Sequence, residues 1–217
     1  KVEMTHSNGT YFRLVDGRNC AEKEVMFIDA QMNNTENVYY PNIEQSNFEL
    51  LPGNPIGYWV NESIIQAFNN GELSSICETR CGLATGWNDK FLRLWHEVDL
   101  KNIGFGLSRA ETKESGLRWF PYDKAGDFRK WYGNRDFVLD WYNDGYELQN
   151  TMHPDGERIW AHNFNLDKIF QPHIGWSDII SANGGLSFRY FEKGFNFDGS
   201  ANAAFVTPQY VYLLLGF

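Results

Sequence analysis

The segment LSFRYFEKGFNFD, residues 186–198, decides the fold class because its pattern is that of β-strands. In an extended chain, successive side chains point to opposite faces. The two faces of this segment consist of Phe188, Tyr190 and Glu192, and of Ser187, Arg189 and Phe191. Aromatic residues in this arrangement are more typical of a core than of a ligand site. We therefore expect strands at residues 186–191 and 194–197.

Most of the flanking sequence also predicts strands. A strand at 174–180 is expected to pair with 186–191 across a turn at Asn183-Gly184-Gly185. Residues 136–141 and the segment that Thr207-Pro208 opens fit either a strand or a helix. The other segments predicted to be extended are 73–81, 91–98 and 118–122. The pattern predicts an α+β fold with mostly antiparallel strands and a few helices.

The first 72 residues differ from the rest in pattern. Residues 1–50 are polar and rich in Asn, and they predict two or three short strands with long loops. Apolar spacing predicts a helix at 58–68, which Asn70-Gly71 would end. We expect one region at 1–72 and a second at 73–217.

Charge is unevenly distributed along the 217 residues, whose net charge is −9. That net charge argues against a compact, wholly basic nucleic-acid binder. Residues 109–135, however, hold seven Lys and Arg against four Asp and Glu, between two acidic flanks. This basic region is either a solvated face or a local contact for a polyanion.

The sequence shows no pattern of a metal site or of catalysis. Cys20, Cys77 and Cys81 form neither a disulfide framework nor a zinc set, and free thiols suit the cytoplasm. Gly104-Phe105-Gly106 lacks the last glycine of a dinucleotide motif, and Asn54-Pro55-Ile56-Gly57 lacks the aromatic residue that stacks on a flipped adenine. We expect no catalytic residue, metal or cofactor in this chain, no membrane contact, and chain ends that are boundaries within a longer protein.

Two stretches contain candidate DNA contacts. The first is the glycine-rich segment GLATGWN, residues 82–88, whose Thr85 and Asn88 suit a phosphate or a base edge, although Gly and Asn also mark ordinary turns. The second is residues 118–134, where aromatic side chains alternate with cations. Lys124, Arg129 and Lys130 suit phosphates there, and the rings of Tyr122, Trp131 and Tyr132 suit stacking on bases or insertion between them. The aromatic residues also fit a core with a solvated basic edge.

Taken in order, these stretches resemble the C-terminal, target-recognition region of PglX-type adenine-specific DNA methyltransferases of BREX phage-resistance systems. They also resemble the specificity regions of type IIG restriction–modification enzymes and Taq-type adenine methyltransferases. The residues that carry the resemblance are 52–60, 82–88 with Phe91, Arg93, Leu94 and Trp95, 118–122, 128–134, 174–177, 188–190, Gly194-Phe195 and Phe197-Asp198.

The resemblance implies a two-part enzyme in a cytoplasmic phage-defence system. An upstream domain, outside this chain, would bind S-adenosylmethionine and methylate adenine N6. Residues 1–72 would lead from that domain, and 73–217 would be a C-terminally truncated target-recognition region that holds double-stranded DNA. Its further partners would be the upstream domain and other defence proteins. The residues expected to contact DNA are Gly82, Thr85, Gly86, Asn88, Arg93, Arg118, Tyr122, Lys124, Arg129, Lys130, Trp176, Ser177 and Arg189.

Two alternative functions stay open from the sequence. One is a secreted carbohydrate-binding module that uses Trp and Tyr as sugar platforms, since three triplets, at Asn8, Asn33 and Asn61, fit the N-glycosylation pattern. The absence of a cysteine framework argues against secretion. The other is a protein-interaction module within a defence complex.

Overall fold

The computed structural model describes residues 7–69, 71–179 and 185–216. The chain forms two compact units, Lys1–Glu72 and Leu73–Phe217. No helix among the described residues has the length and apolar character needed to cross a membrane.

The first unit contains a long helix that the sequence analysis did not predict. Strands β1 (Asn8–Phe12) and β2 (Tyr39–Glu44) pair antiparallel, as short strands were expected here, and helix α1 (Cys20–Asn33) lies between them in sequence. The Asn19 side chain accepts a hydrogen bond from the Glu22 amide at the start of α1. Because Ala30 is the only fully buried residue of α1, apolar periodicity gave little sign of this helix.

The helix expected at 58–68 begins later than predicted. Helix α2 spans Glu62–Asn69, because the Asn61 side chain accepts a hydrogen bond from the Ile64 amide and so caps its first turn. Tyr58 lies outside the helix and stacks on Tyr11, with ring centroids 4.8 Å apart.

The described strands of the second unit are β3 (Cys77–Arg80), β4 (Leu92–Leu94), β5 (Trp119–Asp123), β6 (Phe137–Asp140), β7 (His173–Ser177), β8 (Arg189–Phe191), β9 (Asn196–Phe197) and β10 (Ala201–Val206). They form two four-stranded sheets. One has the order β3-β10-β7-β8 and is antiparallel throughout; the other has the order β4-β6-β5-β9, in which only β5 and β9 are parallel. This arrangement confirms the predicted α+β class with mostly antiparallel strands.

Several predicted boundaries in this unit were wrong. The strand expected at 91–98 is only β4, because the chain turns into a 3₁₀ helix at Trp95–Glu97. The strands expected at 174–180 and 186–191 are shorter in the structure but do pair as β7 and β8. Asn183 and Gly184 of the turn predicted between them lie outside the described residues.

The α-helices among the described residues of the second unit are α3 (Asn88–Phe91), α4 (Arg109–Ser115), α5 (Tyr142–Asn150) and α6 (Val211–Leu215). Helix α4 has a capping box in which Ser108 and Glu111 bond each other's backbone amides. Residues 136–141, which fitted either class, contain β6, and the segment after Thr207 is helical.

Two hydrophobic clusters stabilise the second unit. The larger one includes Phe120 and Leu139 from the mixed sheet, Trp141 after β6, and Phe170. The smaller one joins Ile174 and Phe188 to Leu214 of α6, and thereby covers one face of the antiparallel sheet. These clusters fix the strands whose connecting loops form the candidate site.

Candidate nucleic-acid interface

Several connections of the second unit emerge at one end of its sheets. Parallel strands β5 and β9 end side by side at Asp123 and Phe197, and β6 starts at the same level. In the other sheet, the end of β7 at Ser177 pairs with the start of β10 at Ala201. The connections at this end include residues 124–136 and 198–200 and, between β7 and β8, the described residues 178–179 and 185–188; we call it the loop end. We call residues 124–136 the basic loop.

Asp198 joins two of the predicted stretches at the loop end. Its Oδ2 accepts hydrogen bonds from the Tyr122 hydroxyl at 2.9 Å and from Lys124 Nζ at 3.0 Å, and its Oδ1 accepts one from the Ser200 amide. Burial opposes the charge of Asp198, but the Ser200 hydrogen bonds and the charge of Lys124 outweigh it, so its pKa lies below the usual range. Asp198 is therefore an ionised anchor for the start of the basic loop.

The glycine-rich segment 82–88 approaches this anchor through its backbone. The Leu83 amide donates to the Phe197 carbonyl, and the Leu83 carbonyl accepts from the Tyr122 hydroxyl at 2.8 Å. A Cβ at Gly82 would lie 2.1 Å from the Asp198 carbonyl oxygen, so only glycine fits there. Gly82 is buried. This close packing is enough to explain why position 82 is a glycine, without any ligand contact.

The basic loop presents cations and aromatic rings to solvent. Its ion pairs involve Lys124, with Asp198, and Arg135, with Glu192, whereas Arg129 and Lys130 have no carboxylate partner among the described residues. Phe128, Trp131 and Tyr132 are 51%, 63% and 68% exposed. Exposed cations between exposed rings are suited to phosphates and bases.

A polar cleft of about 460 Å³ opens within the basic loop. Its walls include Lys124, Arg129 and Arg135, together with the carboxylate of Asp127. The Arg135 guanidinium is fixed on one side by two hydrogen bonds to Glu192 and on the other by the Tyr132 ring, 4.1 Å from its centroid. Arg129 is the exposed guanidinium of this cleft, and it has the geometry to reach an anion from solvent.

Asp123, which directly precedes the basic loop, forms a buried polar group with His173. Asp123 and His173 are inaccessible to solvent, and Asp123 Oδ2 lies 3.5 Å from His173 Nε2. Burial raises the pKa of Asp123, and its interactions with the His173 ring and with the Arg189 guanidinium only partly oppose this rise. These side chains join β5 to β7 and β8 and have no route to DNA.

The structure places only part of the predicted contact set at the loop end. Lys124, Arg129, Lys130 and Ser177 lie there. Arg118 directly precedes β5 at the opposite end of the strand, about 16 Å from Asp123 along the chain, and its guanidinium pairs with Asp140 at 2.7 Å. Gly86 and Asn88 lie outside these connections, and Arg93 is in β4, where it pairs with Val138 of β6.

Gly86, Arg93 and Asn88 have structural roles of their own. Gly86 has a positive φ of 71° and faces the Trp160 ring, where a Cβ would be 2.2 Å from the indole. Arg93 donates to the carbonyl oxygens of Asp89 and Leu92, both at 2.6 Å. Asn88 is exposed and begins α3.

Four predicted contact residues are buried, namely Gly82, Thr85, Tyr122 and Arg189, which corrects their assignment as surface contacts. Tyr122 and Arg189 have no exposed surface, and Thr85 is 2% exposed with its hydroxyl bonded to Asn88. Burial raises the pKa of Tyr122 well above its usual value, so its phenol stays neutral and supports Asp198. Trp176 is half-buried and packs edge-on against Phe188.

Sequence reasoning missed the residues that organise the loop end. Asp198 was noted only as part of a motif, and neither Arg135 nor the pair of Asp123 and His173 was singled out. Their partners lie 57 to 76 residues away in sequence, or about 50 for the buried pair, and no local pattern connects such positions. The one available signal was the position of Asp123 and Asp198, each directly after a strand predicted from the sequence.

The comparisons with known proteins give one consistent relationship. No family model matches the chain. Adenine-specific methyltransferase PglX of Lacticaseibacillus casei (strain Zhang) is 40% identical over 203 residues, which are 93% of this chain and 17% of that protein. Adenine-specific methyltransferase BrxX of Escherichia coli O9:H4 (strain HS) is 33% identical over 196 residues, 90% of this chain and 14% of that protein. Because the identity extends over nearly the whole chain, the chain is homologous to a segment of the BREX adenine-specific methyltransferases.

Proposed function

We propose that this chain is the DNA target-recognition segment of an adenine-specific DNA methyltransferase. The chain spans only 14–17% of the length of its two relatives. The proposal therefore assigns the reaction to another part of a longer protein, where a catalytic domain would bind S-adenosylmethionine and methylate adenine N6. The segment described here would form the C-terminal part of that protein and hold double-stranded DNA. In a phage-defence system, the methyl group would mark host DNA as self.

The observation that carries this proposal is the pair of unpaired cations on the basic loop. Arg129 and Lys130 stand between exposed aromatic rings at an end of the sheets where several loops converge. Most other cations of the second unit are bound to carboxylates, as are Lys90, Arg109 and Lys113. When cations that are free of carboxylates bind DNA phosphates, counterions condensed on the DNA are released, and this release favours association.

The acidic balance of the whole chain is compatible with this assignment. A net charge of −9 repels DNA from most of the surface and so limits binding to the loop end. Base contacts require groups that reach into a groove, and a protruding loop between two strands provides such groups. The relationship to methyltransferases favours this function over a carbohydrate-binding module.

The first prediction concerns the double variant Arg129→Ala/Lys130→Ala. Its binding to mixed-sequence duplex DNA should weaken uniformly across sequences, because phosphate contacts are blind to sequence. The slope of log affinity against log salt concentration should fall by about two, one for each cation lost. Fluorescence anisotropy of labelled duplexes over a salt series measures both quantities.

The matched control is Lys101→Ala/Arg158→Ala, which removes the same charge from exposed positions outside the loop end. This control should leave the salt slope unchanged. Equal losses in the two variants would show that binding depends on total charge alone. If the unmodified chain does not bind duplex DNA at low salt, the assignment itself is wrong.

A further inference from the structure

We propose that Trp131 is a stacking residue that enters an opened base step of the DNA, an inference that rests on the function proposed above. The cations of the basic loop would then bind the backbone while the indole contacts bases. The support comes from the way the structure holds this one side chain.

Both the amide and the carbonyl of Trp131 are hydrogen-bonded, to Phe188 just before β8 and to Tyr190 within β8. Its amide donates to the Phe188 carbonyl at 2.7 Å, and its carbonyl accepts from the Tyr190 amide at 3.0 Å. The indole Nε1 also donates to the Leu215 carbonyl at 3.1 Å. Three hydrogen bonds thus orient a ring that is nevertheless 63% exposed. A large apolar ring held outward in this way contributes little to the core of the chain.

Trp131 also adopts a backbone conformation that bulky residues avoid. Its φ is +68°, in the left-handed region where Gly and Asn are the usual residues. The tight turn does not require an aromatic residue, since Asn would adopt this conformation with less strain. Strain of this kind is concentrated at ligand-binding sites, where the surrounding structure maintains it.

The other aromatic residues of the basic loop are less suited to stacking. The ring of Tyr132 has the Arg135 guanidinium 4.1 Å from its centroid, so one face is already occupied. Phe128 is 51% exposed, and its phenyl ring has no polar atom that could fix its orientation as Nε1 fixes the Trp131 indole. Trp131 alone in this loop combines a free ring surface with a fixed orientation.

The position of Trp131 in the sequence matches the layout of DNA. Lys130 and Arg129 precede it by one and two residues, so their Cα atoms lie within about 8 Å of its own. This span is comparable to the separation between a phosphate and the base stack beside it. Aromatic and apolar side chains inserted between base pairs unstack them and kink the duplex, while nearby cations bind phosphates.

The test replaces Trp131 in the chain and follows base stacking directly. The probes are mixed-sequence duplexes in which 2-aminopurine, whose fluorescence rises on unstacking, replaces one adenine at successive positions. The unmodified chain should raise the fluorescence of at least one probe. Trp131→Asn, which suits the left-handed backbone, should abolish that rise and weaken binding about tenfold, the effect of losing one base–aromatic stack. Its salt slope should stay unchanged.

Two further variants make the result specific. Trp131→Phe should retain most of the fluorescence rise, because it keeps an aromatic plane, and Phe128→Asn should retain all of it. The proposal is overturned if Trp131→Asn gives the unmodified signal and affinity, or if Phe128→Asn causes an equal loss. A chain that binds duplexes with the expected salt slope but unstacks no probe would retain the proposed function and refute the role of Trp131. A chain that binds no duplex would refute both.

Discussion

At the scale of single residues, Asp198 and Asp123 are two buried carboxylates next to the basic loop whose pKa values are shifted in opposite directions. Asp198 has cationic and hydroxyl donors around it, so its pKa is lowered despite burial. Asp123 lies deeper, has fewer donors, and its pKa is raised. Asp198 stabilises the fold as an anion. Burial of the Asp123 carboxylate costs free energy, and its neighbours reduce that cost.

The substitution Asp198→Asn should destabilise the second unit by about 2 kcal/mol at neutral pH, because the ion pair with Lys124 is lost and the hydrogen bond from the Ser200 amide no longer ends on a charged oxygen. A carboxylate whose pKa is lowered on folding stabilises the protein above its unfolded pKa and loses that effect as pH falls through the folded value. The difference from the unmodified chain should therefore shrink below about pH 4. Urea denaturation at several pH values measures it, and a difference independent of pH would exclude an ionised Asp198.

Gly175 provides a second prediction at this scale. A Cβ at this position would lie 2.2 Å from Asp123 Oδ2, and the fully buried carboxylate has no room to move away. Gly175→Ala should lower the free energy of unfolding by about 2 kcal/mol through overpacking. Gly185→Ala is the control, since a Cβ there meets no atom of the described residues within 4 Å, and thermal unfolding should hardly distinguish it from the unmodified chain. Similar stability of the two variants would contradict the packing around Asp123.

At the scale of elements, helix α1 shows why local signals succeed where periodicity does not. Its side chains are mostly exposed, and its apolar residues do not collect on one buried face. Its boundaries, in contrast, have clear signals, with Asn19 as the N-cap and Asn34 in the left-handed conformation after its end. Capping residues were the information in the sequence that would have revealed this helix.

The cap predicts the effect of Asn19→Ala. Loss of the hydrogen bond from the Glu22 amide should destabilise α1 by about 1 kcal/mol, seen as reduced helical circular dichroism and faster amide exchange across residues 20–33. Gln31→Ala, at an exposed position of the same helix, should leave both measurements unchanged or raise the helix content slightly. If Gln31→Ala had the larger effect, the helix would not depend on its cap.

At the scale of the whole molecule, the sequence predicted classes of structure better than long-range arrangement. The alternation at 186–198 correctly predicted a strand-rich α+β fold, because side-chain direction in a strand is a local property. The convergence of Lys124, Asp198 and Ser177 at one end depends on strand order, which no single segment contains. Whether a side chain is buried likewise depends on contacts between segments that are distant in sequence. Tyr122 and Arg189 look like surface contacts in sequence, and only the packing of two sheets shows that they are interior.

The hydrogen bonds between Trp131 and β8 also bear on aggregation. Strand β8 is at the edge of its sheet, and an uncovered edge is a template for pairing with other chains. The basic loop occupies that edge with its own backbone at Trp131. Exchange or shortening of this loop to alter its binding properties would therefore also uncover an adhesive strand. Any redesign has to keep the two backbone bonds at position 131, whatever side chain is placed there.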